Sequence, residues 1–228
     1  RNAINNEILR GITYIATLII ANSILSLPFS IYSTFIIEEK FGFNKTTAKT
    51  FILDLLKSIA LSITLGIPVL ALILFILAQG GELMWLYAWI AVVTIGLIIQ
   101  YIAPTWIMPL FNKFTPLADG ELKQKIMNFA KSVNFPLKNV FVIDGSKRSA
   151  KSNAFFTGFG KNKRIALFDT LIANHTTNEL VAILAHEIGH YKKKHILINM
   201  LISFIHTGIL FFLLSLFLNQ KELYQAFY

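Results

Sequence analysis

The chain has 228 residues, of which 55% are hydrophobic and 14% charged, with a formal net charge of +9 and a mean hydropathy of +0.61. A soluble domain carries about 25% charged residues, and here the apolar residues come in long blocks, so composition excludes an ordinary soluble domain and indicates a membrane protein. Cysteine is absent, which excludes disulfides and thiolate metal sites and suits a reducing compartment.

In chain order, four apolar stretches are each long enough for the about 20 residues of helix that cross a bilayer. They cover residues 11–36, interrupted by Pro28; 51–77, with Pro68 inside; 83–102, stopping before Pro104; and 196–218. Internal prolines are tolerable because neighbouring helices satisfy the freed carbonyls. Trp85 and Trp89 near one end of the third span, and Tyr101 near the other, read as interfacial anchors.

Residues 112–191 differ, mixing polar and apolar positions with turn signals. Asp119 is expected to cap a helix whose Leu122, Ile126, Phe129, Ala130 and Val133 repeat at helical spacing. Val140 to Ile143 form a short β-type run closed by Asp144-Gly145. Ala154 to Thr157 and Ile165 to Phe168 flank Gly160-Lys161-Asn162-Lys163 and predict a hairpin. Thr176 with Glu179 three residues later forms a capping box that opens the next helix. The expected fold is mainly α: a polytopic helical membrane protein with a small α/β zincin-like insert. The expected division is 1–111 for three spans and their loops, 112–195 for the insert, and 196–228 for the fourth span and a connector.

Residues 112–195 hold fourteen Lys/Arg against six Asp/Glu, and the segment 38–49 holds three lysines, while 79–82 holds no basic residue. Basic loops stay cytoplasmic, so the insert and segment 38–49 are expected on the cytoplasmic face. Most of the +9 charge is accounted for in this way, without nucleic acid as a partner. The run Lys192-Lys193-Lys194 reads as a solvated or headgroup-level patch.

His186-Glu187-Ile188-Gly189-His190 is an H-E-x-x-H motif on the helix opened by Thr176. Histidines four apart share one helix face, so both imidazoles reach one metal ion, and Glu187 beside them acts on water without coordinating the metal. The chemistry implied is zinc-dependent peptide hydrolysis, with Zn2+ as cofactor, His186 and His190 as ligands and Glu187 as general base. A catalytic zinc takes three protein ligands. His195 lies nine residues past His186, about 900° round a continuous helix and thus on the opposite face, and misses the spacing of the third metzincin histidine. It is therefore expected to be structural or interfacial, His175 an ordinary exposed histidine, and His206 either an intramembrane functional group or a neutral partner of a neighbouring helix. Asp54 and Lys57, three apart, are expected to pair with each other.

Ile37-Glu38-Glu39-Lys40-Phe41-Gly42-Phe43-Asn44-Lys45 resembles the Ste24-type CAAX prenyl proteases. So do Asp144 to Ser149, Ser152 to Phe155, the run from Gly158 to Leu171, and the H-E-x-x-H helix. The resemblance covers essentially the whole chain. It implies an M48-type zinc endopeptidase whose membrane helices surround a chamber and whose relatives remove the C-terminal tripeptide of isoprenylated CaaX proteins. It also implies zinc on His186 and His190, base chemistry at Glu187, and a cleft lined by Asn153, Ala154 and Phe155. The short β-type run from Asn153 to Thr157, in the same insert as the H-E-x-x-H helix, is expected to be an edge strand to which an extended peptide adds. The partners the resemblance implies are a peptide or protein substrate, prenylated in its relatives, and the lipid bilayer. The family's third ligand is a glutamate in a Glu-x-x-x-Asp pattern on a later helix, which Glu222 does not match. A chain lacking that glutamate is expected to bind zinc weakly or not at all, and truncation is expected at both ends. Two alternatives remain: an HtpX-like quality-control protease, and a membrane binding protein with a dead site. The membrane is expected to be the endoplasmic reticulum or a bacterial inner membrane.

Overall fold

The computed structural model describes residues 6–79, 81–157 and 163–218. Among them four helices are long and apolar enough to cross a membrane: Glu7–Glu38, Ala48–Ala78, Met84–Phe111 and His195–Phe217. They take in the four apolar blocks of the sequence, and their exposed surfaces are apolar, as at Leu25, Phe29 and Ile205. This is an integral membrane protein.

The prolines do not stop these helices. Along the first span α1 (Glu7–Tyr32) contains Pro28 and continues into a π-turn at Ser33–Glu38. The second joins α2 (Ala48–Leu61) to α3 (Ile67–Ala78) through a π-turn at Ser62–Gly66. The third joins α4 (Met84–Ile102) to α5 (Met108–Phe111) through another at Ala103–Ile107. A proline ring clashes with the carbonyl four residues earlier and leaves it without a donor. For Pro68 and Pro109 those carbonyls belong to Thr64 and Thr105, each inside a π-turn, where the wider backbone relieves the clash. The end expected before Pro104 is therefore corrected: the helix widens and runs on to Phe111.

The chain divides into two compact units, residues 1–26, 58–99 and 197–228 in one, and 27–57 with 100–196 in the other. In the first, Trp85 and Trp89 pack between helices. Trp89 Nε1 donates to the Phe204 carbonyl at 2.9 Å, and Trp85 meets Phe212 edge-on at 5.3 Å. An indole N–H among apolar helices needs an acceptor, and Gly208 leaves room for it, since a Cβ there would lie 3.2 Å from Trp89 Nε1.

In the second unit, β1 (Phe114–Pro116), α6 (Glu121–Ser132), β2 (Leu137–Ile143), β3 (Ala154–Thr157), β4 (Lys163–Phe168), α7 (Asp169–Asn174) and α8 (Thr177–Lys192) follow in order. The sheet order is β1-β2-β4-β3, with β2 and β4 parallel and the other pairs antiparallel. The strands of the expected hairpin pair as anticipated, while residues 158–162 between them lie outside the described residues. Leu180, Leu184 and Ile188 lie one turn apart on α8 and are buried, the first two with Val140, Ile165 and Leu167 of the sheet, the last with Ala130 and Phe135. Each such side chain contributes about 1.5–3 kcal/mol, so this stripe fixes which face of α8 turns outward.

The capping box forms as expected. Thr176 N donates to Glu179 Oε2 at 2.7 Å, and Thr176 Oγ1 accepts from Glu179 N. The Thr176 backbone N–H and hydroxyl hold the Glu179 carboxyl below its ordinary value. The cap expected at Asp119 is corrected. Gly120 takes that position, and the Asp119 carboxylate pairs instead with Lys123 at 2.7 Å.

Gly145 begins a short 3-10 turn, and a Cβ there would lie 2.4 Å from Cδ2 and 2.9 Å from Cγ of Phe168. Cγ is the root of the ring and cannot swing away. Gly145→Ala is expected to destabilise the protein by about 1–3 kcal/mol, lowering Tm in detergent; an unchanged Tm would show that the ring yields freely. The same turn is held by Asp169, which accepts from the Ser146 and Thr170 amides at 2.8 Å each and from the Ser146 hydroxyl. Burial pushes the Asp169 carboxyl up, but these hydrogen bonds together hold it below its ordinary value.

Candidate metal centre and substrate strand

His186 and His190 each stand two residues past a buried core residue, Leu184 and Ile188. Two residues are about 200° of helix, so both imidazoles leave α8 on the face away from the sheet, and both are exposed. Their Nε2 atoms approach to 3.0 Å, with ring centroids 4.6 Å apart. Glu187, between them in sequence, is half-buried on the flank of that face.

Two histidine nitrogens at about 2.0–2.1 Å from a tetrahedral zinc stand about 3.3 Å apart. The two Nε2 atoms are within a few tenths of an ångström of that spacing, and neutral imidazole is an ordinary zinc donor. The pair fits the ion. Among the described residues no group of three or more His, Cys, Asp or Glu side chains gathers as a metal site. Glu222 lies outside them.

His195 is not where a continuous helix would put it. α8 stops at Lys192, the Lys193 and Lys194 amides turn back to the Gly189 and Tyr191 carbonyls, and Lys194 adopts φ 56°. α9 (His195–Leu218) starts afresh. The break brings His195 Nδ1 to 2.8 Å from His190 Nδ1. His175, expected to be merely exposed, is half-buried, with Nδ1 3.1 Å from the Leu171 carbonyl at the end of α7. His206 is exposed on α9.

Asn153 immediately precedes, and Ala154 and Phe155 begin, β3, an edge strand of the sheet, against which α8 packs. Ala154 is buried, Phe155 meets Phe168 edge-on, and exposed Asn153 accepts through Oδ1 from the Ala154 amide at 2.8 Å. What these residues offer a ligand is therefore mostly backbone.

The expected Asp54–Lys57 pair is corrected. Arg148 takes Asp54 in a two-pronged ion pair, Nε to Oδ2 at 2.7 Å and Nη2 to Oδ1 at 2.9 Å. It also donates to Asn112 Oδ1 and the Phe111 carbonyl, while Lys57 Nζ donates to the Leu110 carbonyl. A planar guanidinium matches a carboxylate better than the point charge of a lysine. Nearby, Lys151 pairs with Glu38 at 2.6 Å, Asn44 forms a β-bridge with Ser149, and Lys45 N donates to the Arg148 carbonyl. The block 37–45 thus runs from the helical end of the first span through a turn at Gly42 with φ 73°, and is fastened to the loop that leads into β3.

A helix bearing H-E-x-x-H, packed on a small mixed sheet in a chain with four membrane-length helices, defines a membrane-embedded zincin-like fold. The chain belongs to peptidase family M48, in its CAAX prenyl protease branch. A family model described as CAAX prenyl protease N-terminal, five membrane helices, matches residues 1–113, and that of peptidase family M48 matches 116–228. Probable CAAX prenyl protease 1 of Schizosaccharomyces pombe is 46% identical over 227 residues, covering 100% of this chain and 48% of that protein. The human CAAX prenyl protease 1 homolog is 36% identical, covering 97% of this chain and 54% of that protein. The crystal structure of Saccharomyces mikatae Ste24p superposes with a TM-score of 0.92 at 42% identity, over 100% of this chain and 53% of that one. The chain spans about half the length of the curated relatives it matches.

Proposed function

We propose that this chain carries the zinc-binding histidines and the general base of a membrane zinc endopeptidase that trims the C-terminus of isoprenylated CaaX proteins. The observation that carries the reading is the 3.0 Å approach of two outward-facing Nε2 atoms on a helix packed against an edge strand. The relatives are named CAAX prenyl protease, which supports the substrate class. Residues 112–195 form the catalytic segment, facing the cytoplasm from the endoplasmic reticulum or a bacterial inner membrane. Residues 1–111 and 196–228 supply spans and connector.

His186 and His190 would hold Zn2+ through Nε2. The ion, when bound, would supply Lewis acidity at the scissile carbonyl and make water nucleophilic near neutral pH. Glu187 takes the proton from the attacking water on a carboxylate oxygen and passes it to the leaving amine.

β3 holds the peptide. The Phe168 amide donates to the Asn153 carbonyl, and Ala154 pairs with Leu167, Phe155 with Ala166 and Phe156 with Ile165. Antiparallel ladders alternate, so Phe155 bonds inward to β4 while the backbone groups of Ala154 and Phe156 face the open edge. The Ala154 amide is already taken by Asn153 Oδ1, so among the described residues Phe156 offers the outward-facing donor and acceptor for strand addition.

The test uses full-length protein reconstituted in lipid with three CaaX-ended peptides: prenylated, unprenylated, and prenylated with single backbone amides methylated. Loss of the isoprenoid is expected to lower kcat/KM at least roughly tenfold, because each buried CH2 is worth about 0.8 kcal/mol. Methylation of the amide opposite Phe156 should lower it by about tenfold, through a lost hydrogen bond and a steric clash. Equal rates with and without the isoprenoid would overturn the substrate class. Indifference to methylation at every position would overturn the ladder.

A further inference from the structure

His186 Nε2, His190 Nε2, His190 Nδ1 and His195 Nδ1 form a chain of contacts at 3.0 and 2.8 Å. An imidazole that gives Nε2 to a metal must carry its proton on Nδ1, and that Nδ1–H needs an acceptor. Resting on the metal reading above, we infer that His195 is the positioning residue for His190: its Nδ1 accepts the His190 Nδ1–H and so fixes the tautomer and ring orientation that present Nε2 to the ion.

The geometry separates this role from ligation. A third ligand would bring its nitrogen toward the paired Nε2 atoms, whereas His195 meets His190 on the opposite ring nitrogen. Accepting at Nδ1 leaves His195 with its own proton on Nε2. The contact exists because α8 ends where it does. Lys194 in the left-handed region, which an L-residue other than glycine rarely adopts, breaks the helix between Lys192 and His195 and sets His195 beside His190. The role of the Lys192-Lys193-Lys194 run is then to supply the helix break as well as charge.

The experiment measures zinc affinity of the full-length protein by competition with a chelator, for wild type, His186→Ala, His195→Asn and His195→Leu. Asparagine places Oδ1 where histidine places Nδ1, and leucine places a methyl group there, so the two variants share a shape and differ in the acceptor. His195→Leu is expected to weaken zinc binding about 10–100-fold, while His195→Asn stays within about threefold of wild type. Unfolding of the metal-free proteins checks that both variants fold. His186→Ala tests the underlying site separately: zinc retained there sinks the metal reading itself. If His186→Ala loses zinc and His195→Leu does not weaken it, or if Asn and Leu weaken it equally, His195 does not position His190 through this hydrogen bond.

Discussion

Glu187→Gln is expected to abolish peptide hydrolysis in the full-length protein while leaving zinc at wild-type stoichiometry. Glutamine keeps the size of the side chain but cannot take a proton. Positioned acid–base catalysis is worth about 10²–10⁴ in rate, so turnover should fall at least about a hundredfold. Glu187 stands one residue, about 100° of helix, from His186, off the line joining the two Nε2 atoms, where it can reach a water beside the ion rather than the ion. His186→Ala should lose both metal and activity, since one imidazole of the pair is gone. Metal analysis and a peptide assay on the same preparations decide it. Turnover above about one-hundredth of wild type would remove Glu187 as the base, and zinc lost from Glu187→Gln would make it a ligand instead.

The helix bearing H-E-x-x-H was legible because its signals are local: the box at Thr176 and Glu179, the Leu180–Leu184–Ile188 stripe, and two histidines four apart. The place of His195 was not. Neither glycine nor proline marks the end of α8, so apolar periodicity reads straight through the three lysines and puts His195 on the far face. The one available clue was length, because an uncapped periodic run much beyond about 25 residues is unusual for a single helix. A left-handed Lys194 supplies the break that composition hides.

The sheet was half legible. Alternation identifies β3 and β4 and the direction of their pairing, but it assigns faces, not partners, so the parallel pairing of β2 with β4 had no sequence signature. β1 is only Phe114–Pro116, too short and proline-ended to read as a strand. The block at 37–45 carried the most specific family resemblance and no readable job. Its partners lie far along the chain, Lys151 being 113 positions from Glu38, and local patterns do not reach that distance.

Arg148→Ala is expected to be the most damaging substitution away from the metal. One guanidinium joins Asp54 of α2, Asn112, and the Phe111 carbonyl at the end of α5, while the Arg148 carbonyl receives Lys45 N and Thr46 Oγ1. Removing one partner of a fully buried pair costs about 3–5 kcal/mol. Both side chains here retain 23% exposure, which lets water reach the orphaned carboxylate, so about 2–4 kcal/mol is the expected loss. Arg148→Lys should recover less than half of it, because an ammonium can meet Asp54 but not Asn112 and Phe111 together. A double-mutant cycle with Asp54→Asn should give a coupling of about 1–3 kcal/mol. The loop that Arg148 anchors runs directly into Asn153 and β3, so loosening it should raise KM for peptide and expose residues 145–153 to proteolysis. Zinc bound through α8 should be unaffected, because none of the Arg148 partners lies on that helix. A Tm within about one degree of wild type, together with unchanged KM, would show that the helix ends hold the loop without this ion pair.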